Sequence, residues 1–230
     1  MTLLNLLMNK RLYSLDASDA LHKAFESEHL VRLPAFYEAA AFDLVRAEVH
    51  RLSAFQKRRD FQMAATDNTP RRMSTVGAAI VNQYSSLLPI LYRDPSLLSF
   101  LTGIAGEPVW PAPDPNEDVV CNFLHRKDDT HGAHLDTFPF AFNLTLEAAA
   151  PGKGGLLEVW PGPKAAGSPQ YHYFVEGECY FLRSDKFLHG VTPLSEGQRR
   201  TVLNFAFANN ETLNTVSYSS SILYGHDDAQ

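Results

Sequence analysis

The spacing of apolar positions along the chain changes near its middle. In the first hundred residues apolar side chains recur every three or four positions, which predicts amphipathic helices. These helices are expected at about 16–28, 37–55, 83–92 and 95–104. A short strand is expected at 29–33, and the polar segment 58–73, which has no periodicity, is expected to be a long loop.

Beyond the proline-rich segment 108–115 the pattern becomes typical of short strands. Runs rich in Val, Phe, Leu and Tyr are separated by Gly and Pro clusters, at 119–124, 138–146, 156–160, 171–175, 180–183, 189–193 and 201–208. Strands at this density indicate an antiparallel sandwich or open barrel. We therefore expect one mainly β domain over 1–230 with supporting α-helices: a helical N-terminal half at 1–107, a β core at 108–210 and a C-terminal tail or lid at 211–230.

Composition then limits the classes of function. The chain of 230 residues is 45% hydrophobic and 20% charged, which suffices for one well-packed domain. A formal net charge of -6 argues against nucleic acid or an anionic membrane as the main partner. Apolar runs fall far short of the ~20 residues of a membrane span, and the N-terminus lacks the layout of a secretory signal. Cys121 and Cys179 do not suggest a disulfide framework. We expect a cytoplasmic protein, and leave a homodimer open.

The sequence offers candidate metal ligands in His134 and Asp136. A His-x-Asp triplet occurs at this position and again at His226, but no histidine follows His226, which we assign to a solvated tail. His134 and Asp136 lie where a strand is expected to begin, and residues two apart in a strand point to the same side. His189 follows in another predicted strand. Two histidines and one carboxylate leave three metal positions open, as in non-haem Fe(II) oxygenases, whereas structural zinc favours four ligands.

A basic strand start follows at Arg199 and Arg200. The open metal positions would accept a bidentate co-substrate as well as O₂, and the far carboxylate of a 2-oxoacid dicarboxylate needs a cation, ideally arginine. Strand alternation places Arg199 on a face with Leu203, which suits packing, and Arg200 on a smaller, more polar face with Asn204. We favour Arg200 as the anchor and keep Arg199 as the alternative; a surface salt bridge is the ordinary role of such a residue.

Taken together, these residues resemble the Fe(II)/2-oxoglutarate-dependent oxygenases over about residues 118–208. The resemblance implies a double-stranded β-helix (jelly-roll) core, Fe(II) as the metal, and 2-oxoglutarate and O₂ as co-substrates. Five segments are also similar to the free-standing amino-acid halogenase and hydroxylase group, which includes lysine chlorinases and lysine hydroxylases: 69–73, 130–134, 139–144, 154–158 and 199–205. That subgroup implies a free amino acid as substrate.

One residue separates the two chemistries of this group. In the halogenases a small residue replaces the metal carboxylate and leaves a position for chloride. Asp136 is present here, so the resemblance implies hydroxylation, with succinate and CO₂ released. Desaturation and cyclisation rank below it.

The resemblance also implies four substrate contacts: Arg71, Glu117, His131 and Asn204. Arg71 and His131 suit a carboxylate, and Glu117 suits an amine. Two other pocket positions depart from the lysine enzymes, because Thr137 stands where they carry an acid and Ala206 stands where a hydroxyl is expected. These departures argue against lysine itself.

Plainer interpretations stand beside these. Arg71 could belong to a solvated basic face, His131 could hydrogen-bond its own loop, and Glu117 could be a loop carboxylate. The chain could also be an oxygenase for a carrier-bound or other small molecule, or a non-catalytic jelly-roll module that binds a metal such as zinc or nickel. A dicarboxylate anchor at Arg199 or Arg200 is the feature that such a module would not need.

Overall fold

A computed structural model describes residues 2–209 and 218–224. The α-helices in this part of the chain are α1 (Leu3–Leu7), α2 (Asp19–Glu28), α3 (Ala39–Leu52), α4 (Ala78–Tyr84), α5 (Leu87–Tyr92), α6 (Pro95–Ala105) and α7 (Tyr218–Tyr224). The strands are β1 (Leu30–Leu33), β2 (Lys57–Met63), β3 (Thr69–Val76), β4 (Trp110–Pro111), β5 (Val119–Leu124), β6 (Thr130–His134), β7 (Phe140–Glu147), β8 (Leu157–Val159), β9 (Gln170–His172), β10 (Cys179–Arg183), β11 (His189–Val191) and β12 (Arg200–Ala208).

Capping residues set the ends of the longer helices. Helix α2 begins after Ser18, whose side chain accepts a hydrogen bond from the Leu21 backbone N–H, and ends where His29 adopts φ 59°. Helix α6 begins after Asp94, whose carboxylate accepts from the backbone N–H groups of its first turn. Pro95 occupies the first turn, and Gly106 ends the helix with φ 71°.

The strands form one antiparallel sheet in the order β1-β10-β7-β12-β5-β3-β6-β11-β8-β9, with β2 paired to β3 and β4 paired to β12. Strands from the first half of this order, such as β7 and β12, line the same cavity as strands from the second half, such as β6 and β11. The sheet therefore curls until its two halves face each other, which is the arrangement expected of a jelly-roll core.

Alternation along the strands separates the hydrophobic core from the cavity. On β12, Leu203 and Phe205 point outward into a core shared with the helices. Arg200, Val202 and Asn204 point to the other side and line the cavity. This confirms the predicted facing of the two sides of β12 and follows from the two-residue period of a strand.

Three predictions about local structure were wrong. Segment 58–73 is not a loop, because β2 and β3 pair along it; its outer face is charged, with Asp60 near Arg58 and Arg72, while Met63 and Met73 are buried. The N-terminal half is consequently not simply helical, since it also contains β1, β2 and β3. A strand ends at His134 and does not begin there.

Helix α7 is the part of the predicted C-terminal tail or lid that the structure describes. It packs on β3, where the Thr75 hydroxyl donates to the Leu223 carbonyl oxygen at 2.9 Å. A Cβ on Gly77 would lie 2.4 Å from the Tyr224 carbonyl oxygen, so this contact requires glycine. Residues 210–217 and 225–230, including His226, lie outside the described residues.

Cys121 and Cys179 are free and buried, as expected of a chain without a disulfide framework. None of the helices in the described part of the chain combines the length and apolarity that crossing a membrane requires.

Asp94 offers a test of this architecture, because it caps α6 and also accepts from the Leu4 N–H at 3.0 Å, which holds α1 against α6. Replacing Asp94 by Ala leaves buried donors without an acceptor, so we expect the free energy of unfolding to fall by about 2 kcal/mol in urea titrations. The matched control is Ser18→Ala, which removes an exposed cap and should cost less than about 1 kcal/mol. Equal losses in the two variants would contradict the tie between α1 and α6.

Candidate metal centre and substrate pocket

Two neighbouring antiparallel strands bring together a His-Asp-His cluster. His134 at the end of β6 and His189 at the start of β11 are direct cross-strand partners. Asp136 follows β6 by two residues, and its backbone N–H donates to the Ser184 carbonyl at 3.0 Å. Asp136 Oδ1 lies 3.3 Å from His134 Nε2, and Asp136 Oδ2 lies 3.7 Å from His189 Nε2. Among the described residues, this is the one group of three or more His, Cys, Asp or Glu side chains whose ligand atoms all lie within 4.8 Å of one another.

The hydrogen bonds of the two imidazoles fit a metal ion. His134 Nδ1 lies 2.9 Å from the Gly132 carbonyl oxygen, and His189 Nδ1 lies 3.0 Å from the Phe187 carbonyl oxygen. These carbonyls assign the ring proton to Nδ1 and leave an Nε2 lone pair on each ring directed at the Asp136 carboxylate. Lone pairs and a carboxylate repel each other unless a cation lies between them, so the donor set suits a divalent metal.

Local electrostatics hold these groups in the protonation states that bind metal. Burial opposes ionisation of Asp136, but the proximity of the His189 and His134 imidazoles lowers its pKa to about 2. Burial lowers the pKa of His189 to about 4 despite the attraction of Asp136. At neutral pH the cluster therefore presents a carboxylate and a neutral imidazole, as metal binding requires.

The cluster lies in a cavity between the two halves of the sheet, and the volume of this cavity is about 90 Å³. The predicted site residues that line it are Arg71, Glu117, His131, His134, Asp136, His189, Arg200 and Asn204. Arg199 does not: its side chain is 54% exposed and its Nε donates to Glu147 at 2.9 Å on the outer face. The structure thus leaves Arg200, and not Arg199, facing the cavity.

Arg200 is held on the cavity wall by its neighbours. It is buried and hydrogen-bonds the Tyr180 hydroxyl. A Cβ on Gly155, which has φ +71°, would lie 3.3 Å from Arg200 Cδ, so the glycine leaves room for the arginine stem. No carboxylate of the described residues forms an ion pair with Arg200. Its charge is therefore available to an anionic ligand.

Arg71 and His131 form a second polar group in the cavity. They are cross-strand partners on β3 and β6. Arg71 is 1% exposed and donates to Thr69 Oγ1 and the Gly132 carbonyl at 2.9 and 3.1 Å, but no carboxylate of the described residues pairs with it. Arg71 Nε and His131 Nε2 are buried without a hydrogen-bond partner. Burial lowers the pKa of Arg71 to about 10, so the group remains a cation at neutral pH.

Glu117 supplies an acidic group to the same cavity. It lies two residues before β5 and forms no ion pair with the described residues. Burial, followed by repulsion from Asp136 and Asp114, raises the pKa of Glu117 to about 9. Without a cationic ligand this side chain is therefore a neutral carboxylic acid at pH 7.

Sequence reasoning did not find several other polar residues of the cavity. They are Asn122, Asn143, Tyr180 and Tyr224. Asn143 Oδ1 accepts from Nδ2 of the predicted Asn204 at 2.9 Å, and Asn122 Oδ1 accepts from the Tyr224 hydroxyl at 3.3 Å. Asn143 and Tyr180 occupy cavity-facing positions on β7 and β10, so alternation around the buried phenylalanines could have indicated them. No local signal indicates Tyr224, which reaches the cavity only because α7 packs on β3.

The curled sheet and the cluster of His134, Asp136 and His189 together define a jelly-roll protein with a two-histidine, one-carboxylate metal centre. The chain belongs to the halogenase D family, whose family model matches residues 13–221. No curated protein sequence matches the chain.

Several solved structures have a similar fold. An oxidoreductase of the 2OG-Fe(II) oxygenase family from Burkholderia pseudomallei superposes with a TM-score of 0.68 at 16% identity, covering 91% of this chain and 97% of that one. HygX from Streptomyces hygroscopicus, solved with nickel and 2-oxoglutarate bound, gives a TM-score of 0.62 at 11% identity, covering 88% and 96%. A Pseudomonas putida prolyl-4-hydroxylase gives 0.55 at 20% identity, covering 83% and 98%. At these identities the likeness concerns the fold.

Loss of either imidazole tests the metal centre. We expect His134→Ala and His189→Ala each to weaken Fe(II) binding at least about 100-fold in anaerobic calorimetry, because each removes one of three protein ligands. His50→Ala, which changes an exposed histidine on α3, serves as the control and should bind as the wild type does. Wild-type affinity in a folded His134 or His189 variant would remove that residue from the ligand set.

Proposed function

We propose that this chain is an Fe(II)- and 2-oxoglutarate-dependent dioxygenase that hydroxylates an unactivated C–H bond of a free L-amino acid or a close derivative. One observation carries the proposal: a single cavity contains the His134-Asp136-His189 cluster and two buried arginines, Arg71 and Arg200, with no carboxylate partner among the described residues. Two unpaired guanidinium groups indicate two anionic ligands, since a buried charge requires a partner.

His134, Asp136 and His189 would hold Fe(II) as the metal of this enzyme. With 2-oxoglutarate and O₂ as co-substrates, the iron supplies the oxidising chemistry, in which O₂ is consumed and succinate and CO₂ are released. The bound nickel and 2-oxoglutarate of HygX support this assignment on a similar fold. The chain's contribution is to fix the two rings through the Gly132 and Phe187 carbonyls and to keep Asp136 ionised.

Arg200 is assigned to the far carboxylate of 2-oxoglutarate. A guanidinium can donate two parallel hydrogen bonds to a carboxylate, and Arg200 is buried on the cavity wall with the Tyr180 hydroxyl beside it. A jelly-roll module that only binds metal has no need of such a cation. The burial of Arg200 therefore favours the oxygenase over the non-catalytic alternative.

Arg71 and His131 are assigned to the carboxylate of the amino acid, and Glu117 to its ammonium group. Among the described residues that line the cavity, Arg71 Nε and His131 Nε2 are the buried nitrogens that lack a hydrogen-bond partner, and a substrate carboxylate would satisfy both. Glu117 would ionise when an ammonium group binds beside it, because the ion pair offsets the cost of burying the charge. Asn204, paired with Asn143, adds neutral hydrogen-bonding capacity to the wall.

Asp136 favours hydroxylation over halogenation. The family is named after a halogenase. The halogenases that the sequence resembles carry a small residue where this chain has Asp136. The Asp136 carboxylate lies between the two histidines, where it occupies a ligand position that a halide would need. Hydroxylation is therefore the product chemistry that we propose, ahead of desaturation or cyclisation.

An anaerobic titration tests the co-substrate assignment. Addition of 2-oxoglutarate to the Fe(II) protein should produce the weak visible charge-transfer band of an iron chelate. We expect Arg200→Ala to raise the 2-oxoglutarate concentration needed for this band at least about tenfold, because a charge-assisted pair is lost. Arg199→Ala is the matched control, since that arginine lies on the outer face, and should titrate as the wild type does.

Two results would contradict this assignment. Absence of the band in the iron-loaded wild type would exclude 2-oxoglutarate as co-substrate, and a larger effect of Arg199→Ala would move the anchor to the other face of β12. If the band forms, a panel of free L-amino acids should perturb it, because substrate binds beside the metal in the same cavity.

The raised pKa of Glu117 gives a pH dependence with a defined sign. Below about pH 9 the free protein holds Glu117 protonated, so binding of an ammonium group must release a proton. Affinity for the amino acid that most perturbs the band should therefore rise about tenfold per pH unit between pH 7 and 8. Glu117→Gln should abolish this slope, and a slope retained in that variant would show that another group ionises.

A further inference from the structure

We infer that the amino acid accepted by this cavity carries one carboxylate, one ammonium group and no further charge, so that its side chain is neutral. The inference rests on the proposed function and adds the substrate class to it. It follows from the ionisable groups that line the cavity and from the absence of spare counter-charges among the described residues.

The described residues of the cavity wall include two guanidinium groups and two carboxyl groups, and no lysine. Asp136 belongs to the metal cluster, and Arg200 is assigned to 2-oxoglutarate. Arg71 and Glu117 then remain for the substrate. One cation and one acid match the charges of a zwitterion and leave none for a second ammonium or a second carboxylate.

Among the described residues, the rest of the wall offers no other acid, lysine or arginine that would pair with a further charge. The other lining residues include the apolar Val120, Ala141, Val202 and Ala206. They also include residues with neutral polar side chains, which are Asn122, Asn143, Asn204 and Thr137. Amides and hydroxyls hydrogen-bond a ligand without neutralising it. The ammonium of a basic side chain or the carboxylate of an acidic one would have to leave water for a site without a counter-ion, which is strongly unfavourable.

Glu117 cannot serve two ammonium groups of one substrate. It is the one acidic side chain of the described cavity wall outside the metal cluster, so whichever ammonium it binds, the other remains unpaired. A basic amino acid would therefore keep one unpaired ammonium group in either orientation. By the same reasoning, an acidic amino acid would keep one carboxylate that Arg71 does not pair.

Pairs of amino acids that differ in side-chain charge but little in size test the inference. Binding is measured by anaerobic calorimetry on the protein loaded with Fe(II) and 2-oxoglutarate. The pairs are L-norleucine with L-ornithine, L-glutamine with L-glutamate, and L-asparagine with L-aspartate. In every pair with measurable binding, we expect the neutral member to bind at least about 100-fold more tightly.

The outcomes separate this inference from the proposed function. Equal or tighter binding of the charged member in any pair overturns the inference that the substrate's side chain is neutral. It leaves the proposal of an amino-acid oxygenase in place. Binding of no amino acid from a wider L-amino-acid panel, in protein that forms the iron–2-oxoglutarate band, overturns the amino-acid substrate itself, and the inference falls with it.

A variant tests the physical reason directly. Asn143→Asp adds a carboxylate to the wall and keeps the oxygen that accepts from Asn204 Nδ2. We expect it to narrow the preference for L-norleucine over L-ornithine at least about tenfold. Asn68→Asp, which adds the same charge at an exposed turn, should leave the preference unchanged. An unchanged preference in folded Asn143→Asp would show that counter-charge does not select the substrate.

Discussion

The antiparallel pairing of β6 with β11 is the interaction on which the site depends. It places His134 opposite His189, and each imidazole is then oriented by the carbonyl two residues before it, Gly132 or Phe187. Asp136 reaches the same point because its backbone N–H is bound by Ser184. The ligand geometry is thus set by backbone hydrogen bonds, which are stiffer than side-chain contacts alone. The curl of the sheet then brings Arg200 on β12 into the same cavity as these three side chains.

The cavity concentrates groups that the folded chain leaves without partners. Arg71 is almost fully buried without a carboxylate, and Glu117 is kept from ionising by burial and by nearby acids. Such groups destabilise the empty protein, because a buried polar group without a partner retains its desolvation cost. A zwitterionic ligand would satisfy both at once. If the proposed substrate binds here, the same unfavourable features account for its affinity and for selection by its charge.

Part of this arrangement could be predicted from sequence, because it depends on local periodicity. The two-residue period of β12 assigned Arg200 and Arg199 to opposite faces, and the structure shows Arg200 at the cavity and Arg199 paired with Glu147 outside it. Strand pairing could not be predicted in the same way. Segment 58–73 has a charged outer face, on which Arg72 of β3 pairs with Asp60 of β2, so no apolar pattern indicated strands. Likewise β6 contains polar residues because it lines the site. Its sequence therefore has no apolar alternation that would predict a strand ending at His134.

The most direct test of the account is the identity of the atom added to the substrate. The Fe(II) protein would be incubated with 2-oxoglutarate, oxygen-18 gas, a mixture of L-amino acids and high chloride, and the products examined by mass spectrometry. Because Asp136 occupies the position that a halide would need, the account predicts one amino acid with a single oxygen-18 hydroxyl and no chlorine isotope pattern. A chlorinated amino acid, formed by protein that retains Asp136, would contradict it.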